Sequence, residues 1–266
     1  MLEFMRVYYI LSKVAWAKAL ENRSQVIIRM LSTVFPLLMM VVWLTVVNQV
    51  GPAANWQRSD FIAYYIGATL VYRFTFTFVV WEWDRDIRTG DLSFKLLKPI
   101  DPFHYFLSEQ IGWKLFDPLL LVPVVALFVW MSPEVHYMIG LGKWIAFFIS
   151  IIVGFALSML MSCAFAMSAF WSTQSSSLYN LWYGVGQFLS GFIAPLPLFP
   201  ENIRSIANLL PFRGLIGFPT EILIGKLSWP EIWLGFRVIG FWIIAFFIIY
   251  RLLWRYGLKK YEAVGS

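Results

Sequence analysis

Apolar residues run from Trp144 to Pro200 without one Asp, Glu, Lys or Arg. A soluble fold of this size cannot leave so long a segment uncharged and still present a solvated surface. Bilayer hydrocarbon penalises charge and tolerates apolar surface, so the segment reads as membrane-embedded. One crossing needs only about 20 residues, so the stretch holds two spans and something more. The same reading of hydropathy and punctuation along the rest of the chain predicts six helices. The first runs from about Met30 to Val47 and is stopped by Asn48, Gly51 and Pro52. The second covers Phe61 to Trp81, interrupted only by Arg73, and the third Leu115 to Met131, where Pro118 and Pro123 predict a kink. The fourth, Trp144 to Phe170, is separated from the fifth, Leu178 to Ala194, by the polar string from Trp171 to Ser177. Pro195 and Pro197 stop the fifth, and the last runs from Ile232 to Tyr250.

Residues 1–266 therefore read as one all-α integral membrane domain with six transmembrane helices. Three segments outside the spans are long enough to matter. Residues 1–25 mix Arg6, Lys13 and Lys18 with Phe4, Tyr8, Leu11 and Trp16, the pattern of an amphipathic helix lying along the interface or packed on its neighbours. Residues 82–113, between the second and third spans, are the most charged part of the chain, yet Leu92, Leu96 and Leu97 recur among the charges at helical spacing. Such a stripe wants a partner surface, with a plain charged tether as the alternative. Gly90 and Pro99 punctuate the segment, and Asp101-Pro102 predicts a helix start, leading through Phe106 and Ile111 into the third span. Residues 195–230 hold six prolines and apolar pieces too short to cross, which reads as short re-entrant helices.

Charge fixes the orientation. Of 21 Lys and Arg, fourteen flank one side: Arg6, Lys13, Lys18, Arg23, Arg29, Arg85, Arg88, Lys95, Lys98, Lys114, Arg251, Arg255, Lys259 and Lys260. Five flank the other, and Arg73 and Arg237 lie within spans. By the positive-inside rule both termini and residues 82–113 face the cytoplasm. The net charge of +6 thus serves membrane orientation, and nucleic acid is not an expected partner. Composition agrees: 60% hydrophobic residues, 14 Trp and a mean hydropathy of +0.70. The single cysteine, Cys163, cannot form an intrachain disulfide and reads as a small core residue. No cleavable signal peptide is expected, because Lys13 cuts short the apolar run from Val7 to Leu11.

The string Asp86-Ile-Arg-Thr-Gly-Asp-Leu-Ser-Phe-Lys-Leu-Leu-Lys-Pro99, followed by Pro102, resembles the cytoplasmic signature of permease subunits of type-2 ABC exporters. Pro195-Leu-Pro-Leu-Phe-Pro200, then Leu210-Pro-Phe212, Pro219 and Gly225, is similar to the segment before the last span in the same family. The resemblance extends over nearly the whole chain. It implies that Asp84 to Lys98 is a coupling helix seated in a separate ATP-binding subunit. Leu92, Leu96 and Leu97 would anchor it, and Asp84, Arg85, Asp86, Arg88 and Lys98 would orient it. It also implies a second permease subunit, identical or paralogous, and a bacterial inner (plasma) membrane location. The chain has no Gly-x-x-x-x-Gly-Lys-Ser/Thr string, so no cofactor or metal is expected on it, and ATP and Mg belong to the partner.

Isolated polar residues supply candidates for a translocation path. Arg73 lies mid-span, where a cation costs roughly 2.5–3.5 kcal/mol on insertion scales, so it should face protein or water. Replacing it with Leu is expected to spare folding and alter transport. Asn180 and Gln187 share a face of the fifth span beside Gly184 and Gly191, a pattern of helix packing or of path lining. Two rival functions fit less well. An ion- or proton-coupled secondary carrier wants carboxylates or histidines at mid-membrane, and the only acid in a span is Asp117, at an edge. An intramembrane enzyme lacks its motifs: neither Gly-x-Ser-x-Gly nor His-Glu-x-x-His occurs, and His104 and His136 fall in connections.

Overall fold

The structure is a computed structural model that describes residues 34–51, 56–132, 135, 137, 139–172 and 174–261. The expected N-terminal interfacial helix, the start of the first span and His136 lie outside the described residues. Every element within them is helical. In chain order these are α1 (Val34–Val50), α2 (Arg58–Thr75), α3 (Val80–Thr89), α4 (Asp91–Leu96) and α5 (Pro102–Met131). Then come α6 (Leu141–Ala166), extended by a 3-10 turn over Met167–Phe170, and α7 (Ser175–Leu189). Short α8 (Glu201–Leu209) and α9 (Gly217–Leu223) precede the long α10 (Trp229–Lys260).

Three stretches are long and apolar enough to cross a membrane: Arg58–Thr89, Leu141–Phe170 and Trp229–Lys260. Two shorter apolar helical stretches are Val34–Gln49 and Leu121–Trp130. The fifth expected span is α7, which has 15 residues and stops at Leu189 instead of continuing to Ala194. At about 1.5 Å per residue it reaches roughly 22 Å, short of a full hydrocarbon core. Its end is local chemistry: Ser190 caps it, and Gly191 takes φ +89°, a left-handed turn whose carbonyl accepts a 2.8 Å bond from the Tyr64 hydroxyl.

Two other boundaries differ from the sequence reading. The short helix expected at Asp101 and the third span are one continuous α5, with Asp101 Oδ1 accepting from the Phe103 amide at 2.9 Å and Pro102 in the first turn. Pro118 and Pro123 sit inside that helix, each removing one backbone donor. The second expected span is not one helix. It breaks at residues 76–79 and resumes as α3.

α6 is the hub, packing on α10, α2, α9, α3 and α7. Burial is highest on α2, lower on α6 and lowest on α10. On α2, Phe61, Tyr64, Tyr65, Ile66, Ala68 and Val71 are all buried, as befits a helix apolar on every face. α10 exposes Phe241, Ile244, Phe247, Ile248 and Leu252, an outward-facing apolar stripe. α10 also sets the scale of the molecule. Near its start Phe236 meets Phe218 of α9 edge to face at 5.3 Å, and near its end Trp254 meets Trp83 of α3 at 5.4 Å. The rise between those residues is about 27 Å, so the α3–α4 and α8–α9 segments occupy opposite ends of one bundle.

Candidate functional site

The break in the second span begins with the sequence Phe74-Thr-Phe-Thr-Phe-Val-Val80, which alternates aromatic and β-branched residues of weak helix propensity. Propensity alone does not stop a membrane helix, because each freed backbone group needs a partner in hydrocarbon. Here the partners come from three neighbouring helices. The Thr77 amide donates to Ser158 Oγ at 3.1 Å, and the Thr77 hydroxyl meets Ser158 Oγ at 3.1 Å and Ser162 Oγ at 3.2 Å. The Tyr179 hydroxyl lies 3.2 Å from Ser162 Oγ and 3.4 Å from the Thr77 carbonyl. Lys114 of α5 donates to the carbonyls of Arg73, at 2.5 Å, and Phe76. The Thr75 hydroxyl is within range of the Val71 carbonyl (2.9 Å) and the Leu215 carbonyl (2.7 Å), which ties the break to the turn before α9. A buried unpaired group costs about 1–3 kcal/mol, so this set of partners is what makes the break tolerable.

Arg73 lies in the last turn of α2, beside the break, and is 8% exposed. Asp117 of α5 is 2% exposed, and its carboxylate is the acid whose charge acts on Arg73. The sequence placed Asp117 at a span edge; in the structure it is buried midway along α5, three residues beyond Lys114. Asn180 and Gln187 take no part in the hydrogen bonds around the break. Asn180 is exposed, while Gln187 is half-buried with neither amide atom paired among the described residues. The face of α7 that turns inward carries Tyr179 and Gly186, and Tyr183 reaches the Tyr72 hydroxyl at 3.1 Å.

From the break, α3 runs into the charged segment. Gly90, at φ +84°, ends α3 and starts α4 in a left-handed corner. Arg88 bonds Asp84 at 2.9 Å one turn away, and the same carboxylate accepts from Ser175 and, at 3.3 Å, from Ser176. The polar string before the fifth span thus fastens α3 to the first turn of α7. Asp86 is buried and pairs with Lys95, whose ammonium lies 4.2 Å from the Phe106 ring centroid. Arg85 is exposed, and its contact to Asp86 at 3.4 Å is marginal. Lys98 lies over the Tyr105 ring at 5.2 Å. Trp83 stacks on Phe106 at 4.2 Å. Desolvation lifts the Tyr261 phenol, just past α10, above its ordinary value, and the nearby Asp91 and Asp86 add to the effect.

The leucine stripe divides. Leu92 is fully buried and belongs to the protein's own core, so it is not an outward anchor. Leu96 is 38% exposed and Leu97 83%, and Phe94, which the sequence reading passed over, is 67% exposed. The outward apolar surface of α4 is therefore Phe94 and Leu97, with the less exposed Leu96 beside them in sequence, and the same segment carries the exposed cations Arg85, Arg88 and Lys98.

At the opposite end, the segment expected to be re-entrant folds as 3-10 turns at Leu196–Leu198 and Pro211–Leu215 with α8 and α9 between and after them. From Phe212 to Leu223 nearly every residue is buried. The Gly217 amide donates to the Ser190 carbonyl at 2.7 Å, and Arg213 bonds Glu221 at 2.5 Å. Cys163 is buried in α6, and among the described residues no three His, Cys, Asp or Glu side chains converge as metal ligands would.

No curated protein matches the sequence. The model of one family does, over residues 33–265, and its description is ABC-2 family transporter protein. That match takes in the broken second span, the charged segment and the short helices before α10 alike, and it fits a membrane component of transport rather than an enzyme. The chain belongs to the ABC-2 family of transporter proteins, as a multi-pass membrane permease.

Proposed function

We propose that this permease is the membrane half of an ATP-driven exporter, paired with a second permease subunit, identical or paralogous, and driven by separate ATP-binding subunits docked on α3–α4. The observation that carries the reading is a pair of exposed apolar side chains, Phe94 and Leu97, on a segment that also carries the exposed cations Arg85, Arg88 and Lys98. An exposed apolar patch with a charged rim is the form of a protein-docking site. α3 leads from that patch directly to the break at 76–79, and Thr75 joins the break to the turn before α9. A push on α4 would be taken up at the break, where side chains rather than helix bonds hold the backbone. The same segment at the far end of α10 would feel it and would gate the outer side. Six spans, with α1, the apolar part of α5 and α7 as the shorter ones, and both termini in the cytoplasm of a bacterial inner membrane, complete the picture.

A second reading has one observation in its favour. Arg73 and Asp117, both buried and within electrostatic reach of each other, are the kind of intramembrane charges an ion- or proton-coupled carrier uses. The pair sits at a break already crowded with structural hydrogen bonds, and the exporter reading assigns it to holding α2 on α5.

Sidedness tests the exporter reading at its base, since ATP is cytoplasmic. In Lys98→Cys, a membrane-impermeant maleimide should react only from the cytoplasmic side, and in Glu201→Cys only from outside. Both positions are exposed, and the native Cys163 is buried and silent. Labelling of Lys98→Cys from outside would remove the ATP-binding subunit from reach and the function with it.

A further inference from the structure

The C-terminal half of α10 presents one face outward. Phe241, Ile244, Ile248, Leu252, Arg255 and Lys259 follow one another at steps of three or four residues, so they form a single stripe along the helix, and all six are exposed. The first four are apolar and the last two cationic, with Arg251 and Tyr256 exposed beside the junction. The opposite face is packed: Tyr250 meets Phe103 at 5.9 Å, Trp254 meets Trp83 at 5.4 Å, and a Cβ added at Gly257 would strike the Phe170 ring. The cations therefore point away from α3 and the rest of the bundle. From Ile232 to Tyr261 the chain has no Asp or Glu, and among the described residues no acid pairs with Arg251, Arg255 or Lys259.

Distance along the helix puts the junction at a membrane surface. Trp229 and Trp233, exposed at 46% and 62%, mark the opposite surface, where indole rings settle. From Trp233 to Arg251 the rise is about 27 Å, close to the ~30 Å of a hydrocarbon core, and from Arg251 to Lys259 it adds about 12 Å, enough to pass through the headgroup layer. An apolar stripe that turns cationic at that depth matches a lipid molecule part for part. Guanidinium groups take phosphate oxygens in bidentate fashion and are weakly hydrated, so they lose little on contact. A zwitterionic headgroup would bring an ammonium into a group of three cations with no acid to receive it; an anionic headgroup brings none. We infer that this end of α10 binds an anionic phospholipid, its phosphate on Arg251, Arg255 and Lys259 and its acyl chains along Ile244, Ile248 and Leu252. The inference needs a bilayer and not an ATP-binding subunit, so it stands or falls apart from the exporter reading.

The test is native mass spectrometry of the full chain in detergent, incubated with equal amounts of phosphatidylglycerol and phosphatidylethanolamine of the same acyl chains. Each cation near an anionic surface is worth about fivefold in affinity, so phosphatidylglycerol should be retained at roughly tenfold or more over phosphatidylethanolamine. Arg255→Gln with Lys259→Gln should bring the two lipids to near parity, and the unfolding temperature should hold because both side chains are exposed. Arg255→Lys, which keeps the charge, should keep most of the preference. Arg204→Gln with Arg237→Gln removes the same charge from the other end of the molecule and should leave the ratio unchanged. Equal retention of both lipids by the parent chain would overturn the inference. So would a preference that survives in the Arg255→Gln/Lys259→Gln variant, or one that both double variants lose alike, since it would then follow net charge. A parent chain that appears as a lipid-free dimer, with the Arg255→Gln/Lys259→Gln variant a monomer, would show that a second copy covers this face and would overturn it too.

Discussion

Alanine at both Phe94 and Leu97 is expected to release the ATP-binding subunit from the purified complex, or to leave its hydrolysis uncoupled from transport. Both side chains point out of the fold at 67% and 83% exposure and have no intramolecular role that truncation would damage. Hot-spot truncations cost about 2 kcal/mol or more each, so the pair should weaken docking by roughly a thousandfold. Arg88→Ala should do far less. Its partner Asp84 is also held by Ser175 and Ser176, and an exposed pair contributes about 1 kcal/mol or less. Leu92→Ala separates the two kinds of leucine: it should lower the unfolding temperature, as a core cavity costing about 2–5 kcal/mol would, without a specific effect on docking. Leu96→Ala, at a less exposed position, should fall between. Co-purification and ATP hydrolysis in reconstituted vesicles read these outcomes. Unchanged association in the Phe94/Leu97 double variant would reduce the segment to a charged tether.

The second large effect is expected at Arg73. The sequence alone suggests that Arg73→Leu should fold normally. The structure changes that expectation, because Asp117 is buried and would lose the charge that opposes its own. Leaving one member of a buried pair alone costs about 3–5 kcal/mol, so Arg73→Leu should assemble poorly, and Asp117→Leu likewise. Arg73→Leu with Asp117→Leu should recover most of the stability, since apolar replacement of both partners is often near neutral. Thermal unfolding in detergent gives the double-mutant cycle. If the single variants are as stable as the parent, the pair does not hold α2 to α5. If the rescued double variant folds but no longer transports, the pair carries function as well as structure, which is the outcome the carrier reading requires.

The hydropathy of the chain shows its class directly, because bilayer hydrocarbon imposes a composition that no soluble fold of this size shares. The long α6 and α10 and the cap at Asp101 follow from local signals: an uncharged run, an apolar run flanked by basic residues, and an Asp-Pro start. The break at 76–79 does not. No Gly or Pro marks it, and the alternating Phe and Thr residues are ambiguous until Ser158, Ser162, Tyr179 and Lys114 arrive from elsewhere in the chain to satisfy the backbone. The same holds for Asp117, whose position near the start of the apolar stretch from Leu115 says nothing of Arg73. Within the charged segment, spacing identified a stripe at 92, 96 and 97 but not which of its members turn inward. That depends on the corner at Gly90, which reorients α4 and leaves Phe94, a residue off the stripe, facing out. Helical periodicity is legible only within one helix, and the turn at Gly90 sets how α4 is placed relative to α3.

Subunit composition is the most direct measure of the central claim that α3–α4 docks into an ATP-binding subunit. The tagged chain, extracted from its native membrane in mild detergent and purified in one step, should bring an ATP-binding subunit in equal amount with the permease chains, and the Phe94→Ala/Leu97→Ala variant should come without it. A parent chain that purifies with no ATP-binding subunit, under conditions where it remains folded and monodisperse, would contradict the account and leave the coupled-carrier reading standing.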